Sequence, residues 1–341
     1  MPFRESHRAP SCRRSSALRS ARLQKMCCGS RQDLQSRDKS TAAVALVFGQ
    51  SGPNLCKIKY MYCVPTTLYK YLPAGRTLDV LGKLLIRFSQ ASVMNDALEF
   101  KPSLKGVASR PKLETVLIER LRLKFPGVVE RVEATLPPNI AEQLIRDVIS
   151  KGAVQAEGSF AKSVEAIYGK LDHNFGILSL SETPTDTLMW SHYADGGRGF
   201  LIEFDPSHSW FWAKKTEEDD FRHLARVAYS SSRPPKYLLE TSGIEFLYTK
   251  GQDWEHEKEW RVIRNFNDAA LKAGSDDNGK DVLLFAIPPE CILSVVAGYR
   301  ATPESVTQLR ETLATTPSLS HVGFNHAMLE SGGSIDIVPG V

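Results

Sequence analysis

Hydrophobic positions change their spacing twice along the chain. Residues 66–72 and 85–89 are rich in β-branched and aromatic side chains, which is typical of short strands, and residues 78–85 predict a short helix between them. Residues 111–171 instead carry apolar side chains at every third or fourth position, which predicts three amphipathic helices. From Phe175 onward, short strand-like runs bounded by Gly, Pro or Asp return.

This division predicts an α+β fold. We expect a single domain over residues 61–341, built on one mixed, mostly antiparallel sheet, with a helical insertion at about residues 111–171. A last helix is predicted to open at Thr302-Pro303, because Thr is a good N-cap and Pro is tolerated in the first turn. The segregation of helical and strand-rich blocks argues against alternating βα units.

The net charge of the chain is concentrated in its first 60 residues. This segment has twelve Lys or Arg against Glu5, Asp33 and Asp38, a surplus of nine, so a chain charge of +4 leaves −5 for the remainder. We therefore predict a disordered basic leader over residues 1–60 and no basic footprint for nucleic acid on the domain itself. An alternative interpretation, which we favour, places the translation start at Met61. Mass spectrometry of the native N-terminus tests it.

Cysteine usage and hydropathy indicate the compartment. Five of the six cysteines lie in or beside the leader, which leaves Cys291 alone deep in the domain and excludes a disulfide framework. No apolar run approaches the roughly 18 residues that span a bilayer, so no membrane segment is expected. These features favour a cytoplasmic protein.

Two glycine-rich segments do not match nucleotide-binding motifs. Residues 274–280 have the spacing of a phosphate-binding loop, but Asp281 replaces the Ser or Thr that would ligate magnesium, and Asp276 would repel phosphate. Residues 196–199 lack the third glycine of the dinucleotide pattern. The histidines include no i, i+4 pair beside a glutamate, so no metal site is predicted.

Four segments combine aromatic and polar residues unusually densely. They are Leu68-Tyr-Lys-Tyr71, residues 88–96, residues 188–204 and Trp254-Glu-His-Glu-Lys-Glu-Trp-Arg261. In sequence and order they resemble the bacterial DUF2971 family, a domain of unknown function, from about Leu68 to the C-terminus. Ala97 departs from the proline that this family usually has after Asn-Asp.

The same segments also resemble ADP-ribosyltransferases in layout. A tyrosine on an early strand, a tyrosine after a short helix and a glutamate on a later strand occur in that order. The resemblance implies that Tyr71 and Tyr193 stack on the nicotinamide of NAD+ and that Glu259 is the catalytic carboxylate, with Glu257 as its rival.

The remaining polar and aromatic residues would complete the site. Arg261 and Lys70 are expected to hold the diphosphate, although pairing with Glu203 or Glu259 is an equal role for Arg261. The other residues expected to bind NAD+ are Tyr69, Asn95, Asp96 and Trp190. NAD+ would be the substrate, with no other cofactor, and the acceptor a protein or a nucleic acid.

Three other interpretations stay open. Singly, each aromatic residue of these segments is also explained as core filler with its polar atom satisfied locally. Collectively, they could form a non-enzymatic sensor module, as in defence against phage, which binds a ligand or a protein without turnover. Glu255, Glu257 and Glu259 with Lys258 also approximate the acidic cluster of a metal-dependent nuclease, which divalent-metal dependence would reveal.

Overall fold

The computed structural model describes residues 64–340, apart from residues 97–99, 102, 215, 217–218, 220–221 and 242–244. The predicted leader, Met61 and Ala97 therefore lie outside the described residues. The α-helices are α1 (Ala74–Lys83), α2 (Arg110–Lys124), α3 (Val128–Thr135), α4 (Pro138–Gly158), α5 (Phe160–Asn174), α6 (Thr187–Tyr193) and α7 (Pro303–Thr315).

The strands follow the same order along the chain. They are β1 (Leu68–Leu72), β2 (Leu85–Phe88), β3 (Leu104–Gly106), β4 (Phe175–Ser181), β5 (Phe200–Phe204), β6 (Ala225–Arg226), β7 (Ala228–Ser230), β8 (Lys236–Tyr237), β9 (Thr249–Gly251), β10 (Glu259–Asn265), β11 (Leu271–Ser275), β12 (Asp281–Ala286), β13 (Ile292–Ala297), β14 (Gly323–Leu329) and β15 (Ile335–Pro339).

Eight strands form the main sheet, in the order β15-β14-β13-β5-β1-β4-β10-β6. Within it β13 and β14 run parallel, whereas the other described pairs are antiparallel. A three-stranded sheet, β11-β12-β2, and two short parallel pairs, β3-β8 and β7-β9, lie beside it. The predicted α+β class, with a mixed, mostly antiparallel sheet and a helical insertion, is confirmed.

The helical insertion spans α2 to α5, and it contains one more helix than the three that periodicity predicts. Gly127, with φ 74°, directly precedes Val128, and Pro138 opens α4, so the eight residues Val128–Thr135 form the separate helix α3. Helix α5 then leads directly into β4. Its Asp172 accepts hydrogen bonds from the backbone and hydroxyl of Ser92, at 2.8 and 2.9 Å, which ties the insertion to the segment that carries Asn95 and Asp96.

The two faces of the main sheet differ in chemistry. One face packs into the largest apolar core, where Leu68, Leu178, Ile202, Val262 and Val295 are completely buried. Because side chains alternate along each strand, their neighbours point to the opposite face. That opposite face carries the polar residues described next.

Candidate functional site

A row of polar residues crosses five adjacent strands on this second face. The backbone register pairs Ser294 with Glu203, Glu203 with Tyr69, Tyr69 with Ser181, and Ser181 with Glu259. Neighbouring strands are about 4.8 Å apart, so the row extends for roughly 19 Å. It joins one cluster around Glu203 to another around Glu257 and Glu259.

A left-handed residue places both glutamates in the same buried region. Glu257 ends a 3₁₀ helix, Gln252–Glu257, and Glu259 begins β10, while Lys258 between them has φ 44°. This turn leaves Lys258 exposed and buries the flanking residues to 3% and 4% exposure. The sequence could not distinguish Glu257 from Glu259 as the inward-facing residue, and the structure buries both.

Two cations balance these two carboxylates. The ammonium of Lys250 lies 2.6 Å from Oε2 of Glu257 and 3.6 Å from Oε2 of Glu259. Arg261, which is fully buried, donates from Nε and Nη2 to the two oxygens of Glu259, both at 2.7 Å. Burying four charges carries a large desolvation cost that such pairing only offsets, so the network is weak as a stabilising device and points to a functional role.

Burial shifts the protonation of this network. It raises the pKa of Glu259 to about 7, with Lys250 acting against the shift and the charge of Glu257 adding to it. Burial likewise lowers the pKa of Arg261 to about 9, against the opposing charge of Asp96. Burial therefore makes Glu259 easier to protonate than an exposed glutamate.

The rim of the network is formed by Tyr193 at the end of α6. Its hydroxyl donates to Oε1 of Glu257 at 2.6 Å and accepts a hydrogen bond from the side-chain amide of Asn95. Burial raises the pKa of Tyr193, followed by the neighbouring Glu257, so the hydroxyl keeps its proton and remains a donor. Tyr193 is partly exposed and Asn95 is exposed, so a molecule in solution can reach this pair.

Arg261 and Asp96 are held on the inner side of the rim. Nη1 of Arg261 donates to the carbonyl of Leu247 at 2.7 Å, and its guanidinium lies 4.8 Å from the ring centroid of Phe100. Asp96 pairs with Arg233 at 3.3 Å. Arg261 thus contacts Glu259, one of the two partners expected for it, and its donors face the protein interior.

Tyr71 and Trp190 join α6 to the sheet. Tyr71 on β1 is only 5% exposed, its hydroxyl donates to the carbonyl of Thr183 at 2.7 Å, and its ring meets that of Trp190 edge-on with centroids 5.4 Å apart. Trp190 lies on the buried side of α6, and its indole donates to the carbonyl of Pro184 at 2.8 Å. The two rings therefore anchor α6 to the sheet, and the aromatic residue of this group that reaches the rim is Tyr193.

Lys70 lies on the central strand β1, where it pairs with Ile202 and leaves the strand on the same face as Leu68, opposite Tyr69. Its ammonium donates to the carbonyl of Ser179 at 3.0 Å. Burial lowers the pKa of Lys70 to about 8, an effect that Glu259 opposes, Arg76 adds to and Glu257 opposes. The structure therefore does not bring Lys70 onto the face of the sheet that carries Glu203 and Glu259.

The structure brings five of the ten predicted residues into one network and adds two that were not predicted. Tyr193, Asn95, Glu257, Glu259 and Arg261 form one connected network. Tyr69 belongs to the cluster around Glu203, whereas Tyr71 and Trp190 belong to the packing under α6. Two residues that were not predicted, Lys250 and Tyr229, face each other in the β7-β9 pair, and the hydroxyl of Tyr229 accepts the backbone N–H of Glu259 at 2.8 Å.

Neither of these two residues has a signal in the sequence. Lys250 is 2% exposed, yet it lies in an unremarkable polar run, and lysine is rarely buried. Its position follows only from the parallel pairing of two three-residue strands distant along the chain.

A known protein family matches the part of the chain that contains most of this network. Residues 189–262 match the DUF2971 family, described as a protein of unknown function. The DUF2971 match begins in α6 and ends in β10, so it contains Tyr193, Glu203, Glu257, Glu259 and Arg261. The predicted resemblance to DUF2971 is confirmed over these residues. No curated protein and no solved structure matches the chain.

Among the described residues, no helix is long and apolar enough to cross a bilayer. The same residues contain no group of three or more His, Cys, Asp or Glu side chains arranged to hold a metal ion.

Proposed function

We propose that this chain is an enzyme that transfers the ADP-ribosyl group of NAD+, with its chemical centre at Tyr193 and Glu257. The observation that carries the proposal is the contact of one carboxylate with two donors. Glu257 accepts from the exposed-rim hydroxyl of Tyr193 and from the buried ammonium of Lys250, both at 2.6 Å. A carboxylate fixed in this way is preorganised to act on a bound molecule at the rim.

Glu257 would stabilise the positive charge that develops on the ribose. When the bond to nicotinamide breaks, its electron pair leaves with the nicotinamide, and the anomeric carbon becomes oxocarbenium-like. A negative carboxylate near this carbon lowers the barrier because the attraction is greatest in the transition state. Glu259 is the second candidate; like Glu257 it accepts hydrogen bonds on both carboxylate oxygens, but both of its donors belong to Arg261, whereas one donor to Glu257 is the rim residue Tyr193.

The surrounding residues would bind the rest of the NAD+ molecule. The ring of Tyr193 offers a face for the cationic nicotinamide, since a ring quadrupole attracts positive charge. Lys70 leaves β1 on the opposite face from Tyr69, so another cation would have to hold the diphosphate. Tyr71 and Trp190 would act by holding α6, and the acceptor would be a protein or a nucleic acid. The cysteine usage supports a cytoplasmic setting.

Labelled NAD+ tests this function. The purified full chain is incubated with NAD+ labelled in the adenylate, and nicotinamide release and label on protein or nucleic acid are measured. We expect turnover by the wild type and a loss of at least about 100-fold in Glu257→Gln, the size typical of removing one transition-state charge contact. Glu255→Gln, an exposed neighbour, is the matched control and should retain activity.

A second candidate is a binding module without turnover. The observation that favours it is the closed pairing of Glu259 with Arg261, which leaves this part of the network without an open catalytic group. If NAD+ binds with a measurable heat but is not consumed in any variant, the binding module replaces the enzyme. If Glu257→Gln and Glu259→Gln both consume NAD+ as fast as the wild type, the reaction takes place at another part of the molecule.

A further inference from the structure

The cluster around Glu203 is a second polar centre on the same face, and the proposed chemistry does not use it. Glu203 projects from β5 between two hydroxyl-bearing neighbours on the adjacent strands. Tyr69 on β1 donates to Oε1 at 3.1 Å, and Ser294 on β13 donates to Oε2. Asn325 on β14 in turn donates to the hydroxyl of Ser294 at 3.3 Å.

This carboxylate differs from its neighbours in charge balance. Glu182, Glu257 and Glu259 contact Arg226, Lys250 and Arg261, respectively. Both hydrogen bonds received by Glu203 come from neutral hydroxyls, and in the part of the chain that the structure describes, no Lys, Arg or His pairs with it. A fixed, partly buried negative charge without a counter-ion favours a positively charged ligand.

One aromatic ring, that of Tyr69, belongs to the same centre. Tyr69, Tyr193 and Tyr299 all pack against the apolar cluster that contains Tyr71 and Trp190. Glu203, Tyr69 and Asn325 are each partly exposed, so the centre is open to solvent on one side. A carboxylate beside a partly exposed aromatic ring, as in Glu203 and Tyr69, binds organic cations by combining charge attraction with ring-face attraction, which a small inorganic ion exploits less well.

We infer that the Glu203 cluster is a binding subsite for an organic monocation. The shared chemistry is a guanidinium, ammonium or pyridinium group. Under the proposed function it would belong either to the acceptor side chain or to the nicotinamide end of NAD+. Only this assignment of a role rests on the proposed function, because the binding itself requires no turnover. The row through Tyr69 and Ser181 puts the subsite two strand spacings, about 10 Å, from the strand position beside Glu257.

Calorimetric titration of the full chain without NAD+ tests the subsite. The probes are agmatine, butylamine and 1-methylnicotinamide, with butylurea and nicotinamide as neutral counterparts. We expect the cations to bind the wild type and to bind Glu203→Gln at least about tenfold more weakly, as for the loss of a charged partner. Glu311→Gln, an exposed glutamate on α7, is the matched control and should bind like the wild type.

The ranking of the probes identifies the source of the cation. Preference for 1-methylnicotinamide assigns the subsite to the nicotinamide, and preference for agmatine or butylamine assigns it to the acceptor. Equal binding by Glu203→Gln, equal binding of the neutral counterparts, or no binding of any cation to the wild type would each overturn the inference. Should Glu203→Gln fail to fold, Glu203→Asp, which retracts the charge by one methylene, is read instead and should bind more weakly than the wild type.

These results separate the two proposals. Cation binding that depends on Glu203 in a protein that does not consume NAD+ would retain the subsite and remove the enzyme. NAD+ consumption without cation binding would do the opposite.

Discussion

At the scale of single residues, the site is a balance of four buried charges. Lys250 pairs with both glutamates, and Arg261 pairs with Glu259. An apolar replacement of such a network is often neutral or stabilising, whereas removing one member leaves an uncompensated charge. A single substitution that removes one charge should therefore destabilise the protein more than a double substitution that removes both charges of a pair.

Lys250→Met should lower the free energy of unfolding by about 3–5 kcal/mol, because it leaves Glu257 buried without its cation. The double variant Lys250→Met with Glu257→Leu removes both charges and should recover most of that loss. Urea denaturation followed by circular dichroism measures both. A double variant as unstable as the sum of its two single variants would contradict the pairing.

The raised pKa of Glu259 predicts a pH dependence of stability. The ordinary pKa of a glutamate is 4.5, and the pKa of Glu259 in the folded protein is about 7. Between these two pH values, the folded protein retains a proton on Glu259 that the unfolded chain has released. The folded state binds more protons in this window, so the free energy of unfolding falls as pH rises through it. Glu259→Gln lacks this proton and should show a flatter profile in urea titrations, whatever its absolute stability. Glu255→Gln should keep the wild-type slope, and a Glu259→Gln profile parallel to the wild type would disprove the shift.

At the scale of elements, the position of Tyr193 depends on how α6 is attached to the sheet. Gly199, just before β5, donates its N–H to the carbonyl of Ala194 at 2.8 Å. A Cβ at this position would lie 2.2 Å from the carbonyl oxygen of Leu72 and 3.0 Å from that of Ala194. Both are backbone atoms of packed elements, so neither can move aside cheaply.

Gly199→Ala should therefore destabilise the protein by about 1–3 kcal/mol and shift α6. Loss of NAD+ turnover should accompany it, because Tyr193 ends this helix. The matched control is Gly75→Ala in α1, where an added Cβ meets nothing within 4 Å and alanine should stabilise the helix by up to about 1 kcal/mol. Thermal unfolding compares the two, and equal effects would contradict the account of Gly199.

The elements themselves were largely predictable, because each depends on local spacing. Thr302 caps α7 as expected, its hydroxyl oxygen accepting the N–H of Ser305 at 3.2 Å. Residues 274–280 form part of a hairpin in which Asp276 accepts the backbone N–H groups of Asn278 and Lys280, both at 3.0 Å. The partners of Glu203 and Glu257 were not predictable, because they depend on which strands are adjacent and in which register.

At the scale of the whole molecule, the two faces of the main sheet differ in composition. One face holds the main apolar core, and the other presents a polar row with a charge-balanced cluster at Glu257 and Glu259 and an uncompensated carboxylate at Glu203. The helical insertion contacts this arrangement through Asp172 and Ser92, which fix the segment bearing Asn95. The match to DUF2971 contains Tyr193, Glu203, Glu257 and Glu259, whereas Tyr69 and Ser294 lie outside it.

The central claim is that Tyr193 and Glu257 act as one unit, and a double-mutant cycle on NAD+ turnover tests it most directly. Nicotinamide release is measured for the wild type, Tyr193→Phe, Glu257→Gln and the double variant. We predict that Tyr193→Phe slows release by at least about tenfold and that the double variant is no slower than Glu257→Gln alone, because the hydroxyl acts through the carboxylate. Losses that multiply, or release that neither substitution slows, would contradict the account.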